Sequence, residues 1–69
     1  MQLSARNQFP GHVTAVKLGG VMAEITVDIG GGREMVSAIT RDSAERLALA
    51  EGVEVTVVLK STEVLIAKE

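Results

Sequence analysis

Two short stretches carry most of the groups that could bind or react: "SARN" at residues 4–7 and "LKST" at residues 59–62. Arg6 and Lys60 bring fixed positive charge. Ser4, Ser61 and Thr62 bring hydroxyls, and Asn7 brings an amide. Both stretches lie where strand-like runs begin or end, and such places leave backbone N–H groups free for a ligand. Arg6, Ser4, Lys60 and Ser61 together would suit an oxyanion, with Glu63 the one acid close by. The same residues also read as ordinary solvated charges, the commoner fate of Lys and Arg.

Catalysis finds little support. His12 is the one histidine, and no Ser-His-Asp set assembles around it. There is no cysteine nucleophile. Asp42 and Glu45 could pass for paired carboxylates, but they fit a helix capping box more simply. The Gly30-Gly31-Gly32 run lacks the Lys-Ser/Thr of a phosphate-binding loop and reads as a hairpin turn. No catalytic residue is assigned, and the protein is expected not to be an enzyme.

Composition narrows the classes further. Sixty-nine residues make one small domain, which is marginal alone. Without Cys there is no disulfide, and one His excludes a His-rich metal centre. Yet 46% of the chain is hydrophobic and only Phe9 is aromatic, so apolar surface is left for other subunits to cover. Net charge −2 with one aromatic residue contradicts nucleic-acid binding. No apolar run approaches the ~20 residues that span a bilayer. No secretory signal opens the chain, and a cytoplasmic location is the expectation.

The elements that must hold the two stretches follow from turn signals and periodicity. Pro10-Gly11 introduces a strand "HVTAVKL", and Gly19-Gly20 turns it. "VMAEITVDI" alternates, with Ala23, Ile25, Val27 and Ile29 on one face. After the glycine turn "REMVSAI" is a third strand, completing an antiparallel meander. "TRDSAERLALAEG" then places Ala44, Leu47 and Ala48 at helical spacing over two to three turns. Thr40 or Asp42 can cap its start, and Gly52 suits its end. "VEVTVVLK" alternates again, and "EVLIAK" is expected as a last strand, apolar on both faces. Three strands, one short helix and two strands make a mainly β fold, the order of a five-stranded OB-like barrel with its helix between strands 3 and 4.

"SARNQFPGHV" and "VSAITRDSAERLALAEGVEVTVVLKSTEVLIA" closely resemble the molbindins, small molybdate-binding proteins built from one Mop or TOBE-type domain and also called molybdenum-pterin-binding proteins. The resemblance covers essentially the whole chain, residues 1–69 as a single domain. It implies an OB-like five-stranded domain and a homo-hexamer, a trimer of dimers that shares strands and termini. It implies molybdate or tungstate as ligand, held by hydrogen bonds in subunit-interface pockets, with no metal directly coordinated by protein and no covalent cofactor. A role in molybdenum storage and homeostasis goes with it.

Carried over by motif, the ligand-facing positions are Ser4, Ala5, Arg6 and Asn7, with Thr40, Lys60 and Ser61. Two other functions compete. One is a ligand-sensing module that acts through a protein partner, though the chain has no DNA-binding or ATPase segment. The other is a molybdopterin-cofactor binder, and here one Phe with no Tyr or Trp offers a pterin ring little to stack on.

Overall fold

A computed structural model describes all residues, Met1–Glu69. Four strands form one antiparallel sheet: β1 (Asn7–Leu18), β2 (Met22–Gly30), β3 (Arg33–Thr40) and β4 (Glu54–Leu59). Their order across the sheet is β3-β2-β1-β4. A short helix, α1 (Arg41–Arg46), joins β3 to the loop before β4, and one 3-10 turn (Ser61–Glu63) follows β4.

β1 is longer than its pattern suggests. It begins at Asn7 and runs through Pro10. Residues Asn7 to His12 pair with β4, whereas His12 to Leu18 pair with β2. Pro10 therefore stands where only one side of the strand is paired, and there a residue without an N–H is tolerated. The two halves meet at Gly11 and His12. At Gly11 the backbones are so close that a Cβ would lie 2.2 Å from the Asp28 carbonyl oxygen. Register slips at Thr14, one residue past Val13, which adds local twist.

The β2–β3 hairpin turns on Gly31 and Gly32, both with positive φ, as a type I′ turn requires. The alternation read on β2 holds: Ala23, Ile25 and Val27 are buried and pack with Val13 and Ala44. These five residues are the whole buried core, fringed by half-buried Val16, Ile39, Leu49, Val55 and Val57.

The helix is shorter than expected, six residues rather than two to three turns. The chain leaves the helix at Leu47 and enters the left-handed region at Ala48 (φ 52°). Leu47 is thus turned outward, 62% exposed, and Leu49 packs on the core instead. Thr40 is the N-cap, accepting a hydrogen bond from the Ser43 N–H at 3.1 Å. The Asp42–Glu45 box does not form; Glu45 accepts from Arg41 at 2.8 Å. Gly52 lies beyond the helix, in the loop that leads to β4, with φ 89°.

The fifth strand and the closed barrel are not formed within the chain. Residues 64–69 have no regular structure and are exposed throughout, Leu65 and Ile66 by about nine-tenths. A strand needs a neighbour, and this segment has none in its own chain, while the outer edges of β3 and β4 remain unpaired. The fold is a four-stranded antiparallel sheet with one short helix, not closed.

Candidate functional site

The two donor-rich stretches meet because β1 and β4 are antiparallel. Asn7 is opposite Leu59 in the last rung of that ladder. "SARN" therefore enters β1 at the point where "LKST" leaves β4. Opposed residues share a face of the sheet, and successive residues alternate. Asn7 and Leu59 are half-buried on the core side, and their neighbours Arg6 and Lys60 are exposed. Continued by one step, the register that pairs Gln8 with Val58 and Asn7 with Leu59 sets Arg6 against Lys60. Two like charges directly opposed are unfavourable in a sheet. The ladder stops before that rung.

Neither cation is neutralised. The chain has one ion pair, Arg41 with Glu45 at 2.8 Å, and His12 lies 4.0 Å from Asp28; neither contact involves Arg6 or Lys60. Beyond Lys60 the backbone turns away sharply. The Glu63 N–H donates to the Lys60 carbonyl at 2.9 Å, and the Val64 N–H to that of Ser61 at 3.3 Å. Ser61 is thereby held at the end of β4, exposed beside Lys60.

On the other side Ser4 lies in a bend, and Ala5 is half-buried. The Gln8 side-chain amide donates to the Ala5 carbonyl at 2.7 Å. No other side-chain hydrogen bond of the structure reaches residues 1–6. Gln8 lies outside the seven positions expected from the sequence. Its only signal was local: an amide three residues past Ala5.

Thr40 is elsewhere. It pairs with Met22, beside the rung that joins Ala23 to Leu18 at the far end of β1. Eleven residues of extended chain separate that end from Asn7, about 36 Å at ~3.3 Å per residue. The Thr40 hydroxyl is also engaged locally, accepting from the Ser43 N–H and donating to the Ser43 hydroxyl at 2.8 Å. One chain thus brings the segment that carries Ser4, Ala5, Arg6 and Asn7 to the end of β4, where Lys60 and Ser61 follow, and keeps Thr40 at the opposite end.

Two concavities of the chain are lined by other residues. A broad groove of about 800 Å³ runs past Met1, His12, Leu47 and Glu54. A smaller one of about 210 Å³ is lined mainly by apolar side chains, among them Ile25, Ile39, Val55 and Val57. Neither contains any of the seven positions. The six sit instead on an open edge, with donors and charge but no second wall. No cluster of His, Asp and Glu suited to a metal ion is formed.

The TOBE domain model matches residues 3–66 of the chain. Molybdenum-pterin-binding protein 3 of Clostridium pasteurianum is 52% identical over 66 residues, which are 96% of this chain and 97% of that protein. Among solved structures, MopII from Clostridium pasteurianum superimposes with a TM-score of 0.92 at 46% identity, covering 97% of this chain and all of the other. A molybdate binding protein from Sporomusa ovata gives the same TM-score at 41% identity, covering 99% of this chain and all of its own.

Proposed function

The chain belongs to the TOBE domain family, and from that premise we propose that it binds molybdate, as a free tetrahedral oxyanion, at the end of the β1–β4 ladder. One observation carries the reading: the β1–β4 register leads Arg6 and Lys60 towards each other with no carboxylate paired to either. A dianion between them would turn that repulsion into attraction. Ser4 and Ser61 would donate hydroxyls, Asn7 an amide, and Ala5 and Ser61 their backbone N–H groups. The metal of the anion would meet only its own oxygens. Tungstate, nearly the same size and charge, would be held the same way.

The open edge calls for a second wall, and we assign it to another copy of the chain. Thr40 is about 36 Å from Asn7 along the sheet, so its place in the site would be filled by the Thr40 of a neighbouring subunit. The exposed tail, rich in Val64, Leu65 and Ile66, would find in assembly the strand neighbour it lacks, completing a five-stranded OB-like barrel. A hexamer built as a trimer of dimers would do both. Five buried residues are a small core for 69, and burial between subunits would supply the rest. The physiological role would be cytoplasmic storage and buffering of molybdate, binding without catalysis.

Titration calorimetry with molybdate, on protein of known mass in solution, tests this reading. Saturable binding by an oligomer, with sulfate much weaker, is expected. No heat from a properly assembled oligomer would overturn it.

A further inference from the structure

Ser4, Ala5 and Arg6 precede β1, so something must hold them in place, or binding must order them. Ordering a free arm costs about 1–2 kcal/mol per residue fixed. Along residues 1–6 a single side-chain hydrogen bond reaches the fold, from Gln8 Nε2 to the Ala5 carbonyl oxygen at 2.7 Å. Gln8 itself is fixed in β1, opposite Val58 of β4. The bond therefore ties the arm to the β1–β4 ladder, two rungs inside the point where Arg6 and Lys60 converge. It holds the carbonyl of the peptide that joins Ala5 to Arg6.

We propose that Gln8 is a positioning residue of the molybdate site: its side-chain amide clamps the Ala5 carbonyl and pre-orders the Ser4–Arg6 arm before the anion arrives. The inference rests on the anion-binding reading above. Gln8 does not touch the ligand. It lowers the ordering cost of binding, the general source of affinity in a preorganised site. Its geometry is specific. Asparagine carries the same amide on a stem one methylene shorter, and at a 2.7 Å contact that lost reach breaks the bond.

The test compares the assembled wild type with Gln8→Met, similar in length but without a donor, and Gln8→Asn. Molybdate affinity is read by calorimetry. Order of the Ala5 and Arg6 amides is read by NMR relaxation, with and without molybdate. Both variants should bind about fivefold more weakly, the effect of one ordinary hydrogen bond. Their arm amides should be more mobile than wild type in the free protein and equal to it at saturation. Mass and ligand-free melting temperature should not change.

Wild-type binding with unchanged affinity in both variants would overturn the role of Gln8, as would an arm equally ordered without it. A parallel fall in melting temperature would reduce Gln8 to a structural residue. Failure of the wild type itself to bind would instead overturn the anion-binding reading, and the positioning role with it.

Discussion

Asn7 and Leu59 face each other in the final rung of the β1–β4 ladder, and the next residues outward, Arg6 and Lys60, are both cationic. A sheet that ends on two opposed cations lacks a favourable way to continue. In the proposed site a bound anion would supply one.

Lys60→Ala and Arg6→Ala should each weaken molybdate binding by about ten- to a hundredfold, the range for a charge-assisted hydrogen bond. The double variant should lose less than the product of the two, because both charges serve one anion. Ligand-free stability should be unchanged or slightly higher, since one of two like charges is gone. Calorimetry on the four proteins decides it. Unchanged affinity in Lys60→Ala would return that residue to the class of solvated surface charges.

Selectivity should follow size. Sulfate has the charge and shape of molybdate but is smaller. Fixed donors that reach molybdate oxygens would fall short of sulfate, and each buried bond left unmade costs about 1–3 kcal/mol. Sulfate should therefore compete at least roughly fivefold more weakly for each such bond, and tungstate about as well as molybdate. Equal affinities for sulfate and molybdate in a competition titration would sink this account.

Gly11 is fixed by space rather than by turn geometry. A Cβ there would lie 2.2 Å from the Asp28 carbonyl oxygen and 3.0 Å from Val27. Backbone cannot step aside cheaply, so Gly11→Ala should destabilise the fold by about 1–3 kcal/mol, the usual cost of overpacking. Gly20, with open space around its Cβ position, is the control. Gly20→Ala should melt close to wild type. Equal melting temperatures for the two variants would contradict the close approach of β1 and β2.

Much of this was legible in the residues. Strict alternation on β2 marked its buried face, and the triple glycine marked the hairpin, because both signals are local. "SARN" and "LKST" were legible as donors, and the antiparallel pairing of β1 with β4 then united them. What escaped were long-range effects. Pro10 suggested a strand start, but β1 passes through it since only β4 pairs there. The helix pattern ran on through Leu47 and Ala48, but Leu49 reached the core better from a left-handed turn at Ala48. "EVLIAK" had the composition of a strand and no neighbour within the chain, which no periodicity can reveal.

That tail gives a test of assembly. Removing residues 64–69 deletes no contact of the buried core, which comprises Val13, Ala23, Ile25, Val27 and Ala44. If the tail completes the barrel of a neighbour, the truncated protein should lose its oligomeric mass in analytical ultracentrifugation and lose molybdate binding with it. Retention of both the mass and the binding would mean that the tail is not the element that joins subunits.

Thr40 has two possible roles, and one substitution separates them. Its hydroxyl caps α1 through the Ser43 N–H. In the proposed assembly it also faces the anion of a neighbour. Thr40→Ala removes both functions, so it should cost about 1 kcal/mol of stability and weaken binding. Thr40→Asp keeps the cap, because Asp is as good an N-cap as Thr or better. It also places a carboxylate where the dianion would sit. Thermal stability close to wild type with binding reduced by tenfold or more is therefore expected, since like charges in a shared site repel. If Thr40→Asp binds molybdate as tightly as the wild type, Thr40 is a helix cap alone and the second wall of the site is built from other residues.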